Sequence, residues 1–396
     1  MRIDRLTLRG FRNYRDMTVT FPAAGAYITG ANGSGKTNLL EAMYFLANQT
    51  SFRTTKREEL QGWGTTQCRV DALITAPETQ RQSELAIALS PHGRRLLING
   101  KATREAYKFA TYFAAVAFHP GTLNVLKGGP AGRRLLIDRG IASLHPAFVQ
   151  TSLDCQRALK QRNALLRSAT GPGNPTLEVW TERFINVALQ ITAARQEHVT
   201  VMNQTLATLC KSLGTDIGLL TLAYRPAVLA HCTPEVSDLL LASLPHAPQL
   251  RERLYAEAQR LQRGEMALGQ TLFGPQRDDI AIYYRGREAR SSASQGEQRL
   301  SAFLLIAALA LAIQQRHGHQ PVVLLDDVVS ELDERNRHIV FGFLQSHDFQ
   351  VFITDIDHRI WSQHLRDFPS FQVRQHNGQA ELRPGPTPQH ARCDVC

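Results

Sequence analysis

Lysine, cysteine and long apolar runs are all scarce in this 396-residue chain. Only seven of the 45 basic residues are lysine, so the formal charge of +10 is almost entirely arginine. The longest nearly apolar stretch, 300–313, is 14 residues. That is too short to span a bilayer; it reads as a buried helix, and no membrane partner is expected. Met1-Arg2-Ile3-Asp4 lacks the apolar run of a signal peptide, and a cytoplasmic location is expected. Four of the six cysteines are isolated, as suits a reducing compartment. Cys393 and Cys396 make a lone C-x-x-C in a mobile tail, 384–396, without the second pair that a zinc ribbon needs. No aromatic-rich platform and no recognition-helix motif appears, so base-specific reading of nucleic acid is not expected.

What is abundant is arginine, whose planar fork suits phosphate. Five arginines fall within the first 15 residues, and Arg133, Arg134, Lys160, Arg162 and Arg167 form a second cluster. Arg9, Arg133, Arg134 and Arg162 are therefore candidate contacts to a DNA backbone, salt-sensitive and indifferent to sequence. The first 140 residues mix short strands and helices. Residues 141–268 have helical apolar spacing, and 269–383 return to strand and helix alternation. The runs 322–325 and 350–353 read as strands of a sheet covered on both faces.

Gly30-Ala31-Asn32-Gly33-Ser34-Gly35-Lys36-Thr37 fits G-x-x-x-x-G-K-[ST] in full, after a strand at 26–29 and at the start of a helix. Its glycines let amides wrap a phosphate at a positive helix end. Lys36 is placed for the outer phosphates of ATP, and the Thr37 hydroxyl for Mg²⁺. The metal also needs a carboxylate at the end of a neighbouring strand. Asp326, first after Val322-Val323-Leu324-Leu325, supplies it, and Asp327 is the candidate for polarising water. Lys36 and Asp326 are 290 residues apart. For both to serve one sheet, the chain must leave it, build the helical stretch, and return.

Ser294-Gln295-Gly296-Glu297-Gln298 precedes the second strand, and Ser330-Glu331-Leu332-Asp333 follows it. In this order the set resembles the ABC-type ATPase head. Further elements resemble the RecF family, the DNA-repair branch of the SMC-like ATPases. These are Phe11-Arg12-Asn13, Gly128-Gly129-Pro130-Ala131-Gly132-Arg133-Arg134 with Asp138, Lys160-Gln161-Arg162-Asn163-Ala164, and Gly274-Pro275-Gln276-Arg277-Asp278-Asp279. Gln276 stands where that family usually has His.

The resemblance implies an α/β phosphate-loop head assembled from 1–140 and 269–383, with a helical insertion lobe at 141–268. It also implies ATP and Mg²⁺ as cofactors and a head-to-tail homodimer that closes on ATP. Lys36, Thr37 and Asp326 would act in cis, Ser294 and Gly296 in trans, and Asp333 near the facing phosphate loop. Arg12, Thr354 and His119 are further candidates near the nucleotide. The same resemblance implies a slow, DNA-stimulated ATPase that binds duplex or gapped DNA and helps load RecA with RecO and RecR. The other reading of the head motifs is an ATPase subunit of a transporter.

Overall fold

Strand Arg2–Phe11 carries Ile3, Leu6 and Leu8 on its buried face, although Ile3 is out of step with strict alternation. A register shift between Ile3 and Arg5 against the neighbouring strand restores the phase and leaves Arg5 and Arg9 outward. The computed structural model describes residues 1–396 except 169–173, 216–219, 231, 234–239, 242–247, 329–331, 355–367 and 386–396. Ser330, Glu331, Cys393 and Cys396 lie outside the described residues.

The chain forms two units, one of 1–123, 212–214 and 293–396, the other of 124–211 and 215–292. The first holds two six-stranded sheets. One is antiparallel, in the order Tyr14–Thr20, Arg2–Phe11, Cys68–Ala76, Arg81–Ser90, Gly93–Ile98, Lys101–Thr103. The other runs Gln379–Pro384, Ser370–His376, Gly25–Thr29, Val351–Thr354, Val322–Asp326, Ala115–Phe118, with its last five strands parallel. Helix Lys36–Asn48 is buried without a break from Leu39 to Ala47, so it has no solvent face there. One core joins its Leu40 and Phe45 to Leu6 and Leu8 of the first sheet and to Leu324 and Phe352 of the second. Helix Gln295–His317 is long and apolar enough to cross a membrane by composition, but 83% of that window is buried in the fold.

The second unit contains helices Pro130–Leu144, Phe148–Ser168, Pro175–Ser212 and Pro248–Leu268, with a small sheet of Leu220–Arg225, Asp279–Tyr284 and Arg287–Glu288. It begins at 124 and ends at 292, so the expected limits of 141 and 268 are too narrow. Ion pairs explain the difference. Arg133 grips Asp279 with two bonds of 2.8 and 2.9 Å and donates to the Gly128 carbonyl. Arg195 grips Asp138 in the same way (2.8 and 2.9 Å) and reaches Asp278 and the Pro275 carbonyl. Asp278, 2% exposed, also accepts from Tyr224 and from the Ala227 amide. The two family motifs at 128–138 and 274–279 are thus one buried network. Gln276, in the family's His position, braces that loop by donating to the Phe273 carbonyl at 2.6 Å.

These pairs correct two of the DNA assignments, Arg133 and Arg162. Arg162 is 1% exposed, bonded to Glu265 at 2.6 Å and to Thr181 and Thr271, and stacked over Phe273. Arg133 is 6% exposed, and Arg134 donates to the Asp278 carbonyl at 2.6 Å. The guanidiniums of Arg133 and Arg162, already desolvated and paired, have nothing left for a phosphate backbone, whereas Arg134 is only half-buried.

His198, on helix Pro175–Ser212, is 5% exposed and its Nδ1 has no partner. Burial, with His145 adding to it, pushes its pKa down from 6.5 to about 4. The unfolded chain therefore takes up this proton first. The associated stability is complete above pH 6.5 and is lost as pH falls toward 4, by up to about 3 kcal/mol. Denaturant melts of the full chain between these pH values are expected to show that slope, and His198→Gln to show a shallower one. Parallel slopes would contradict the assignment.

Candidate nucleotide site

Strand Gly25–Thr29 delivers the chain to the phosphate loop, and helix Lys36–Asn48 takes it away. Gly30 and Gly35 have φ of +152° and +121°. A Cβ at Gly30 would stand 2.5 Å from the Val373 carbonyl oxygen, and one at Gly35 2.7 Å from Asn13 Nδ2, so both positions require glycine. Ala31, Asn32 and Gly33 are exposed at the tip, and Ser34 Oγ is buried without a partner. Lys36 Nζ folds back to donate to the carbonyls of Gly30 (2.6 Å) and Ala31 (3.1 Å).

The acidic half comes from strand Val322–Asp326, one strand removed from the loop's own strand. Thr37 Oγ1 donates to both carboxylate oxygens of Asp326, at 2.9 and 3.0 Å. Thr354, at the end of the strand between them, donates to Oδ1 at 2.6 Å. Burial raises the Asp326 pKa most, Thr354 and Thr37 oppose it by bonding the anion, and Asp327 adds a like charge. Asp327 sits at φ +53°, uncommon for a residue with a side chain. Its amide donates to the Thr354 carbonyl at 3.0 Å, and its Oδ1 is buried without a partner among the described residues. Lys36, Thr37, Asn38, Arg53, Asp326, Asp327 and Thr354 line one cleft of about 360 Å³, with Asn32, Gly33 and Gly35 at its rim.

These residues fit Mg²⁺ and a nucleotide triphosphate. A single carboxylate beside hydroxyls is a set of hard oxygen donors, leaving coordination for phosphate and water. No trio of His, Cys, Asp and Glu able to cage a metal occurs among the described residues. The orphaned Ser34 Oγ and Asp327 Oδ1 are unsatisfied polar atoms in the cradle itself.

Of the two readings open for Arg12, a nucleotide contact or a salt bridge, the salt bridge is present. Arg12 forks onto Glu41 of the loop's helix at 2.9 and 2.8 Å, and Glu41 has no exposed surface. It does not line the cleft. Its neighbours do the supporting: Asn13 donates to the Ser34 carbonyl (2.9 Å), and Tyr14 to that of Gly35 (3.1 Å). Arg53, which sequence reading passed over, lines the cleft, lies 3.6 Å from Glu41 and donates to Asn38 at 2.7 Å. Only a lone Arg after the helix marked it, and nothing in its spacing distinguishes it. His119 is not in the cleft; it stacks on Phe52 at 4.4 Å.

Ser294 and Gly296 stand outside the cleft. Ser294 is the exposed N-cap of helix Gln295–His317, closed by a reciprocal pair with Glu297. Asp333 is likewise an exposed N-cap, of helix Glu334–Gln345, accepting from the Asn336 amide at 2.8 Å. Arg299, five residues into the first helix, links the two halves by donating to the Asp327 carbonyl at 2.9 Å.

A phosphate loop and a strand-end carboxylate on one parallel sheet, with a serine-capped helix apart from them, define an ABC-type ATPase head. The family description RecF/RecN/SMC N terminal domain matches residues 2–378. The DNA replication and repair protein RecF of Halalkalibacterium halodurans is 33% identical over 386 residues, 95% of this chain and 98% of its own. That of Myxococcus xanthus is 33% identical over 90% of this chain and 91% of its own. A solved structure of the recombination mediator protein RecF with ATP has a TM-score of 0.82 at 24% identity, covering 96% of this chain and 97% of that one. An SMC head bound to a winged-helix domain of ScpA has a TM-score of 0.51 at 15% identity, covering 96% of each chain. The chain belongs to the RecF family.

If Arg12 is a brace for Glu41, Arg12→Ala lowers the unfolding free energy by about 3 kcal/mol, since a buried carboxylate loses its main partner. Arg12→Ala/Glu41→Gln is expected to recover most of that. ATP affinity that falls in Arg12→Ala and stays low in the stable double variant would instead make Arg12 a nucleotide ligand.

Proposed function

We propose that the protein is a slow ATPase of recombinational DNA repair and replication restart, acting in the cytoplasm. ATP and Mg²⁺ close two copies head to tail on duplex or gapped DNA, and hydrolysis releases them. The observation that carries this reading is the separation within one chain of the cleft from Ser294 and Gly296. A cleft open on the phosphate side and an exposed helix N-terminus elsewhere are the two halves that a second copy would bring together.

Within the closed site, Lys36 exchanges the Gly30 and Ala31 carbonyls for phosphate oxygens. Bound Mg²⁺ would neutralise phosphate charge, held by Asp326 and Thr37. Thr354 keeps the Asp326 carboxylate oriented, and the free oxygen of Asp327 accepts a proton from the attacking water. Ser294 and Gly296 of the partner copy supply donors to the outer phosphate, and Asp333 stands near the facing loop. DNA contact falls to exposed arginines such as Arg9, which meets Asp16 only at 3.9 Å. By kinship with RecF proteins, RecO and RecR are the partners, and loading of RecA is the outcome.

Ser294→Arg is expected to bind ATP with unchanged affinity and to stay monomeric in light scattering with ATP and gapped DNA. An ATP-dependent doubling of mass in that variant would refute action in trans.

A further inference from the structure

Trp63 is fully exposed (102%), and no other large exposed apolar residue lies in its loop. The ring is not on a loose segment. Gly62–Thr65 is a tight turn, with the Thr65 amide and hydroxyl both donating to the Gly62 carbonyl at 3.0 and 2.8 Å. Gly64 takes φ +76° at the third position, where a type II turn needs it. Both flanks are tied down. The Gly62 amide donates to the Gly10 carbonyl at 2.8 Å, the Arg12 amide to that of Leu60 at 2.9 Å, and Phe11 bridges Gln61. Leu60 and Phe11 are buried beneath.

A protein-binding patch needs a contiguous apolar centre, whereas here a single ring is surrounded by Gly62, Gly64, Thr65, Thr66 and Gln67. The exposed Arg9 and Arg57 lie on the segments beside it, with Glu58 and Glu59 moderating their charge. One rigid indole face, with exposed arginines on the adjoining segments, suits a nucleobase, which offers a flat π surface and a backbone phosphate. Stacking of this kind is indifferent to sequence.

The same strand and turn reach the phosphate loop. Gly10 and Arg12 hold the Trp63 turn, Arg12 grips Glu41, and Asn13 and Tyr14 hold the carbonyls of Ser34 and Gly35. We propose that Trp63 is a stacking site for an unpaired base of DNA, and that its occupancy is relayed through Gly10–Tyr14 to the phosphate loop. The proposal rests on the DNA-binding reading above and adds how DNA would stimulate ATP turnover.

The test uses full-length protein with Trp180→Phe and Trp361→Phe, so that Trp63 is the sole indole. Oligothymidylate and gapped duplex are expected to quench its emission, and a blunt duplex of equal length to leave it unchanged. Trp63→Ala is expected to weaken gapped-DNA binding about tenfold and to remove DNA stimulation of ATP turnover. Turnover without DNA stays as in wild type, and Trp63→Tyr recovers much of the loss. Unchanged emission while anisotropy of a labelled oligonucleotide reports binding would overturn the stacking site. So would quenching by ATP alone with loss of dimerisation in Trp63→Ala, which would make the turn an interface between copies. Stacking with undiminished DNA stimulation in Trp63→Ala would overturn the relay. Absence of any anisotropy change in wild type would instead sink the DNA-binding reading itself.

Discussion

The bond from Thr37 to Asp326 joins residues 289 positions apart, and the rest of the head is arranged so that it can form. It requires the strands Gly25–Thr29 and Val322–Asp326 to be parallel, nearly adjacent and in register through Val351–Thr354. It requires helix Lys36–Asn48 to leave the sheet at a fixed angle, which its fully buried course between the two sheets imposes. Between those strands the chain builds the whole second unit. A hydroxyl and a carboxylate thus meet at the one place where a divalent cation and a phosphate would be shared.

Arginine is divided between two tasks. In the second unit Arg133, Arg162 and Arg195 are buried and each pairs with a carboxylate, that of Glu265 being buried with its partner. In the first unit Arg12 does the same for Glu41, while Arg5, Arg9 and Arg57 are exposed. The number of arginines is therefore a poor guide to the polyanion surface, because it counts buried pairs and exposed side chains alike.

The phosphate loop, its strand and helix, the acidic strand and the split between them were legible because each is a local pattern or a chain distance. Asp326 followed from its place after an apolar strand, and Thr37 does bond it. Arg133 and Arg162 were misread since a run of charges does not show which carboxylates lie across the fold. Nor does it show where a unit ends: Arg133 with Asp279 and Arg195 with Asp138 tie residues outside 141–268 into the second unit. The support from Asn13 and Tyr14 was invisible because both act on backbone carbonyls, whose positions no side-chain motif records.

The central claim is that a working site takes its phosphate loop from one copy and its serine-capped helix from another. Mixing Lys36→Met protein with Ser294→Arg protein tests it, because neither is competent alone yet the mixed pair holds one complete composite site. ATP turnover is expected to appear on mixing and to rise with the concentration of the scarcer variant. A mixture no more active than its separate components would contradict the account.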